Sequence, residues 1–331
     1  MDRSDAAAPR HVPDGAAASG STSTSPSRGA ARLFALVGPG RAGMAVAMAL
    51  TDAGWRCTDV AGRRPDSPSV RAAARTLGAR AVGVTSVARR CDVVVIATPD
   101  GCVAEAASAL APSAGPGVLL VHLAGSLGVS VLDDTLAIRP DLRAGALHPL
   151  ISIPTVATGR RRLVGSRCAV AGDDHVVDVV AALGATAFPV DDADRAIYHA
   201  TAVVASNHAV ALLGHLERVA DAAGLPVDEF LPLVRDAVDT VGEVGAADAL
   251  TGPVARGDVT TVSAHLDALP ADEVAAYRSL AREALRLTEH GDEPGALDAL
   301  LGSAAAPTPA AVAASPDTAG GTGGVPAGTG S

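Results

Sequence analysis

Short apolar runs alternate with helical segments from Arg32 to Val190, and this alternation constrains the fold more than any other feature of the chain. The run DVVVIA at 92–97 is continuous and β-branched, which is typical of a parallel strand buried on both faces. Comparable runs at 33–37 and 118–123 are separated from it by segments with apolar residues at helical spacing. Strands that alternate with helices in this way predict an α/β fold with a parallel sheet covered by helices.

The pattern changes after Val190, where strand-like runs stop and a long helical segment at 194–223 begins. The remainder of the folded chain has helical spacing only, which predicts a second, all-helical domain. Both ends are rich in Ala, Ser, Thr, Gly and Pro, so we expect disordered tails that bury too little apolar surface to offset the entropy of ordering. The four predicted segments are a tail at 1–30, an α/β domain at 31–190, a helical domain at 191–302 and a tail at 303–331.

Charge and composition exclude several classes of partner and mechanism. All 26 basic residues are Arg, so any chemistry that requires a lysine is excluded. Residues 31–190 hold 16 Arg and 12 acidic residues, whereas residues 191–302 hold 7 Arg and 20 acidic residues. Aromatic residues make up only 2% of the chain. We therefore expect no nucleic-acid partner and no membrane partner, although the first half would tolerate a ligand that carries phosphate.

The four cysteines form no CxxC pair and have no zinc-ligand spacing, so we expect no metal site. The first residues contain charges and prolines and no apolar run of the signal-peptide kind. No stretch of about 18 uninterrupted apolar residues occurs in the chain. These features predict a reduced, cytoplasmic protein.

A glycine-rich segment with GxGxxG spacing follows the first predicted strand and opens a helix of small residues. It consists of Gly38, Pro39, Gly40, Arg41, Ala42 and Gly43. In a dinucleotide-binding turn the first glycine allows the tight bend, the second lets the backbone approach a pyrophosphate, and the third lets helix and strand pack closely. A purely structural glycine turn in another kind of α/β protein is the alternative.

The exit of the second strand favours NADP over NAD. NAD-binding sites usually carry an acidic residue at the end of this strand, but Asp59 lies inside the strand and Arg63 and Arg64 follow its end. Two guanidinium groups suit a 2′-phosphate, unless they are simply solvated. After the fourth strand, Ala97, Thr98 and Pro99 are predicted to form a second wall of the cofactor site.

Six stretches carry a resemblance to a known group of proteins: VGPGRAG, VVVIATPD, HLAGS, GALHPL, DRAIYHATAVVASN and LTGPVARGD. With them the chain resembles the NADP-dependent oxidoreductases related to pyrroline-5-carboxylate reductase, prephenate dehydrogenase and the β-hydroxyacid dehydrogenases. It is most similar to a bacterial family with a Rossmann-like first half and a helical second half of unknown function. The resemblance implies a Rossmann-type parallel sheet, an all-helical C-terminal domain, NADP as cofactor and a homodimer formed through the helical domain.

Two motifs are similar to those of prephenate dehydrogenases, in which a Ser and a His at corresponding places contact the substrate. Ser126 follows the fifth strand, and His148 follows the sixth within an HPL sequence. Asn207 lies where β-hydroxyacid dehydrogenases have the Asn of a KxxxN pair, but the position of the Lys is Val203. The mechanism of that group therefore does not carry over.

His148 is the predicted proton donor or acceptor, because imidazole titrates near neutrality and because ligands bind at the carboxyl ends of the strands in open α/β sheets. Ser126 and Asn207 are predicted to orient the substrate. His199 and Ser206 lie seven residues apart on the long helix and are predicted substrate contacts, as is Arg256 in a later loop. The alternatives are a structural His148, helix groups that pair across a dimer interface, and an ordinary interdomain turn around Arg256.

The sequence thus predicts an NADP-dependent oxidoreductase that acts on a small, anionic carbonyl, hydroxy or imine compound. A dehydrogenase of the prephenate type is an alternative within the same class. A catalytically silent protein that senses NADP is an alternative from another class, and a Rossmann protein that uses no nicotinamide is a third.

Overall fold

The computed structural model describes residues 31–288 and 295–302. The chain forms two compact units, Met1–Ser206 and Asn207–Ser331. The predicted tails at 1–30 and 303–331 lie outside the described residues. The predicted domain boundary follows Val190, whereas the division into units follows Ser206.

Eight strands of the first unit form one sheet. They are β1 (Leu33–Val37), β2 (Arg56–Ala61), β3 (Arg80–Val82), β4 (Val93–Ile96), β5 (Leu119–His122), β6 (Arg143–Pro149), β7 (Arg167–Gly172) and β8 (Thr186–Pro189). Their order is β3-β2-β1-β4-β5-β6-β7-β8, and all neighbours are parallel except β6 and β7. In the order 3-2-1-4-5-6 the succession of strands changes direction between β1 and β4. Dinucleotides bind at this switch point in doubly wound sheets.

Helices cover both faces of this sheet. The helices of the first unit are α1 (Arg41–Asp52), α2 (Pro68–Leu77), α3 (Val103–Leu110), α4 (Asp133–Ile138), α5 (Val156–Leu163), α6 (Val176–Ala182) and α7 (Arg195–Val203). Side chains of β1 alternate between two cores: Phe34 and Leu36 belong to one, and Ala35 and Val37 belong to the other. A sheet buried on both faces explains the continuous apolar runs and confirms the predicted α/β architecture.

The start of α7 packs within the first unit, which explains why the division falls beyond the predicted boundary. Both carboxylate oxygens of Asp192 accept hydrogen bonds from backbone N–H groups, from Val129 at 2.8 Å and from Ser130 at 2.8 Å. The hydroxyl of Tyr198 is hydrogen-bonded to His148 at the end of β6. These contacts connect the first turns of the helix to the sheet.

Helices form the second unit, as predicted. They are α8 (Ala209–Ala222), α9 (Leu231–Val244), α10 (Ala246–Ala249), α11 (Val259–Ala268), α12 (Val274–Leu285) and α13 (Ala296–Gly302). The helix α7 continues into α8 through a π-helical turn at Val204–His208. Among the described residues, this long helix at Asp192–Ala222 is the one segment long and apolar enough to cross a membrane by length and composition alone.

The second unit has a small core and a buried ion-pair network. Val262 and Ala281 are buried in its apolar cluster. Nearby, Nδ1 of His215 lies 2.5 Å from a carboxylate oxygen of Glu273, and Arg218 pairs with the same carboxylate. Hydrogen bonds from Arg218 and His215 lower the pKa of Glu273 to about 2, so this carboxylate is ionised throughout the physiological range.

Candidate functional site

Two glycines of the GPGRAG segment are required by close packing. Gly38 has φ +90° and accepts no side chain, because a Cβ there would lie 2.5 Å from the carbonyl oxygen of Ala97. A Cβ on Gly43 would overlap the carbonyl oxygen of Gly38 and lie 2.8 Å from Cβ of Ala97. The turn between β1 and α1 is therefore pressed against the end of β4.

Gly40 has the opposite environment. It is the N-cap of α1, and no atom lies within 4 Å of the position that its Cβ would occupy. The open space borders the first turn of α1, whose N–H groups have no partner within the helix and favour an anion. Arg41 in this turn donates a hydrogen bond to the carbonyl oxygen of Pro154 at 3.2 Å. The open space at Gly40, in the turn that also contains Pro39 and Ala42, would accommodate a dinucleotide pyrophosphate.

At the second strand, Asp59 is fully buried and engaged. A carboxylate oxygen pairs with the guanidinium of Arg80 on β3 at 2.7 Å. Asp59 is therefore held inside the sheet rather than at the strand's end. Arg63 and Arg64, which follow the end of β2, are both exposed.

The loop after β4 connects the glycine turn to a second group of polar side chains. Ala97 packs against Gly38 and Gly43, and the buried hydroxyl of Thr98 has no hydrogen-bond partner among the described residues. After the exposed Pro99, the carboxylate of Asp100 accepts a hydrogen bond from the hydroxyl of Ser126 at 2.5 Å. One loop thus borders both the predicted cofactor site and the predicted catalytic serine.

His148 lies at the carboxyl end of β6. It belongs to a cluster that we call the polar group, which consists of Asp100, Ser126, His148, Arg195, Tyr198 and His199. Its Nδ1 is hydrogen-bonded to the hydroxyl of Tyr198 at 2.7 Å. Its ring centroid is 5.8 Å from that of His199, at an interplanar angle of 78°. Gly125 makes room for both histidines, because a Cβ there would lie 2.7 Å from His199 and 2.8 Å from Nε2 of His148. The structure therefore brings together Ser126, His148 and His199.

Burial and charge keep His148 neutral. Burial, followed by the charges of His199 and Arg195, lowers the pKa of His148 to about 4, and Asp100 opposes this shift. A neutral imidazole has one donor and one acceptor nitrogen. Because Nδ1 is bonded to Tyr198, Nε2 is the nitrogen that remains on the side of Gly125.

The other predicted contacts lie on other elements, namely a turn of the long helix and a later loop. Ser206 is half-buried and Asn207 is exposed, and both lie in the π-helical turn. That turn changes the helical register, so the α-helical spacing between His199 and Ser206 does not carry through unchanged. Arg256 is exposed in a loop of the second unit before α11.

Three residues of the polar group escaped the sequence prediction: Asp100, Arg195 and Tyr198. Tyr198 is one of only two tyrosines in the chain, and it lies directly before the predicted His199. Its position three residues after Arg195 puts the two on one helical face. The scarcity of tyrosine and its three-residue spacing from Arg195 could have identified Tyr198 and Arg195 from the sequence. Among the described residues, no group of three or more His, Cys, Asp or Glu side chains could hold a metal ion.

Comparisons with known proteins agree with this architecture. A family model for a Rossmann-like domain matches residues 19–149, and a model for DUF2520, a domain of unknown function, matches residues 168–284. No curated protein matches the sequence. The two matched domains confirm the resemblance found in the sequence.

Several solved structures share the fold. A proposed NADP oxidoreductase from Bacteroides fragilis has 21% identity and a TM-score of 0.65, over 77% of this chain and 98% of its own. A reductive aminase from Aspergillus terreus in complex with NADPH and ethyl-5-oxohexanoate has 16% identity and a TM-score of 0.56, over 82% and 99%. An imine reductase from Myxococcus stipitatus in complex with NADP+ has 17% identity and a TM-score of 0.54, over 78% and 96%. Residues 19–149 and 168–284 thus match a Rossmann-like domain and DUF2520, and the chain shares its fold with solved structures described as an NADP oxidoreductase, a reductive aminase and an imine reductase.

Proposed function

We propose that this protein is an NADP-dependent oxidoreductase that acts on a small, anionic carbonyl, hydroxy or imine compound. The observation that carries the proposal is the loop from Ala97 to Asp100. It packs on the glycine turn at one end and bonds to Ser126 at the other. On this proposal the dinucleotide cradle and the substrate-orienting Ser126 share the carboxyl edge of one sheet, where ligands bind in doubly wound folds. Solved structures of the same fold with NADPH or NADP+ support the choice of cofactor.

The residues that would hold the dinucleotide follow from the turn. The N–H groups at the start of α1, beside Gly40, would bind the pyrophosphate, and Arg63 and Arg64 would pair with a 2′-phosphate. The buried pair of Asp59 with Arg80 leaves no acidic residue at the end of β2 for the ribose of NAD. When bound, a nicotinamide supplies or takes up a hydride.

Proton transfer falls to His148 and Tyr198. The lowered pKa of His148 means that its imidazole is neutral at pH 7. If Tyr198 donates to Nδ1, Nε2 gives its proton to a substrate oxygen or nitrogen while Nδ1 takes up the proton of Tyr198, so that the imidazole stays neutral and Tyr198 is left as a phenolate. If Nδ1 donates to Tyr198, Nε2 accepts a proton from a substrate hydroxyl or amine. Ser126, which is bonded to Asp100 and follows Gly125 in the chain, would orient the substrate.

Titration of the purified protein with NADPH and NADH tests the cofactor. We expect NADPH to bind more tightly, and replacement of Arg63 and Arg64 by Ala to weaken NADPH roughly tenfold, since a phosphate contact is charge-assisted, while NADH affinity stays unchanged. Arg71→Ala, an exposed arginine on α2, is the matched control. If neither nucleotide binds at millimolar concentration, the proposal is wrong.

A substrate screen then separates the alternatives. Loss of nicotinamide absorbance with 2-oxo acids or cyclic imines supports the proposed reductase, whereas NADP reduction with prephenate would identify the alternative dehydrogenase. We expect His148→Asn to abolish turnover and to preserve NADPH affinity. A silent NADP sensor would instead show no turnover in the wild type, and its ligand response would survive this substitution.

A further inference from the structure

Arg195 is the most deeply buried charged side chain near the polar group. It is the first residue of α7 and is only 1% exposed. Its Nε, Nη1 and Nη2 atoms have no hydrogen-bond partner among the described residues. A buried guanidinium with no acceptor is strongly unfavourable, because the lost hydration is not replaced. Such a side chain calls for an anion that the protein itself does not supply.

Asp192, whose negative charge acts on Arg195, does not fill this role. Both oxygens of Asp192 already accept backbone N–H groups at the start of the segment Val129–Leu132. Its charge attracts Arg195 at longer range, without a hydrogen bond. The donors of the guanidinium therefore stay free for another acceptor.

The guanidinium lies beside the proton-transfer residues. Its Cζ is 6.0 Å from the ring centroid of Tyr198, and His199 follows on the same helical face. The positive charge of Arg195 contributes to the lowered pKa of His148 and of the buried His122. The rings of Tyr198 and His199 are half-buried, so an anion bound among them would lie next to the guanidinium.

We propose that Arg195 binds a carboxylate of the substrate, so that the protein acts on carboxylic acids whose carbonyl, hydroxyl or imine group reaches His148. This inference rests on the proposed function and names the substrate class of the same site. The planar guanidinium matches a carboxylate with two parallel hydrogen bonds. Its single charge matches a monoanion better than a phosphate dianion.

The test measures binding rather than turnover. Wild-type protein saturated with NADP+ is titrated calorimetrically with cyclopentanecarboxylate and with cyclopentanecarboxamide, which share a ring and differ in charge. We expect the carboxylate to bind at least about tenfold more tightly, as is typical of hydrogen bonds to a charged group. Arg195→Met should abolish this preference, whereas Arg235→Met, an exposed arginine on α9, should keep it.

Equal affinity of the wild type for the two probes would overturn the proposal, and so would an unchanged preference in Arg195→Met. NADPH affinity and melting temperature report whether each variant folds. If Arg195→Met does not fold, Arg195→Gln and the wild-type comparison still decide the question. The same titration without NADP+ keeps the test separate from the proposed function, because a carboxylate preference there would persist in a protein that binds no dinucleotide.

Discussion

Small residues position the large polar ones in this protein. Gly125 carries no side chain and lies against both His148 and His199. Its φ is not in the left-handed region, so backbone strain is not the reason for a glycine there. The reason is space, because any side chain would enter the volume that the two imidazole rings occupy.

At Gly125, alanine should damage catalysis without unfolding the protein. The added methyl group displaces both rings, and a displacement of about 1 Å typically lowers a catalytic rate by as much as about 100-fold. We therefore expect kcat/KM to fall about 10- to 100-fold with unchanged NADPH affinity. Gly115→Ala is the control, since its nearest neighbour would lie 3.8 Å away. Equal kinetics of the two variants would contradict the role given to Gly125.

The lowered pKa of His148 predicts an unusual pH dependence. A base that titrates near 4 stays neutral and able to accept a proton from pH 8 down to about 5. The rate of substrate oxidation should therefore stay level over this range and fall as the pH approaches 4, where the imidazole becomes charged. A decline centred near the ordinary pKa of about 6.5 would show that His148 is not shielded as described. NADPH binding at each pH serves as the folding control.

At the scale of elements, the glycine turn contains both closely packed and open positions. Gly43 is packed between the carbonyl of Gly38 and the side chain of Ala97, whereas Gly40 faces open space. Identical residues in one motif are thus present for different reasons. Gly43 lets β1, β4 and α1 pack together, and Gly40 keeps a backbone surface accessible.

Alanine substitutions at the two glycines should have opposite consequences. Gly43→Ala forces atoms apart in a packed interface and should lower the free energy of unfolding by about 1–3 kcal/mol. Gly40→Ala meets no atom, and its φ of −76° is accessible to alanine, so we expect stability to change by less than about 1 kcal/mol. The Gly40 variant should instead lose dinucleotide affinity by about tenfold or more. Thermal denaturation and NADPH titration measure the two effects, and a destabilised Gly40→Ala with normal NADPH affinity would contradict the assignment.

The long helix shows where a spacing argument stops working. The segment at 194–223 has continuous helical spacing, and a helix is present from Asp192 to Ala222. The π-helical turn at Val204–His208 interrupts the α-helical register inside it. Residues before the turn keep α-helical spacing, as the contact of Arg195 with the ring of Tyr198 three residues later shows, while pairs that span the turn do not.

At the scale of the whole molecule, apolar surface is exposed mainly on the helical unit. Leu233 and Val238 on α9 are 66% and 67% exposed, and Val210 on α8 is 67% exposed. A groove of about 710 Å³ between helices of this unit is also lined mostly by apolar side chains. Exposed apolar side chains beside an apolar groove are typical of an interaction site. Since the resemblance implies a helical homodimer, we propose that a second copy of the chain covers this surface.

Light scattering after size exclusion should therefore give twice the chain mass of 32.6 kDa. A charge at the interface should separate the subunits, so we expect Val238→Asp to be monomeric. Ile138→Asp, at an exposed apolar residue of α4, should remain dimeric. A monomeric wild type would contradict the proposal, and partition of the wild type into lipid vesicles would assign the exposed helix to a membrane instead.

Local patterns were enough to predict the α/β class, the helical second half, and the glycine turn with its three distinct glycine environments. Each of these depends on residues adjacent in the chain, where periodicity and steric size act directly. The position of His148 and Ser126 at one edge of the sheet follows from the same reasoning, because parallel strands end at one edge, and their catalytic roles stay predictions. The division into units lies beyond the predicted boundary, because the contacts of Asp192 and Tyr198 with distant residues hold the start of the long helix on the first unit.

The sequence alone was sufficient for the identity of the fold and for the position of His148 at the carboxyl end of a strand, since both follow from short-range order. Folding was needed to bring Tyr198 to His148, to engage Asp59 with Arg80, and to bury Arg195 without a hydrogen-bond partner among the described residues. The two residues of each pair are tens of positions apart in the sequence, and the burial of Arg195 depends on the segments that pack around it. Burial and electrostatic environment arise only when distant segments meet, and for that reason no local pattern encodes them.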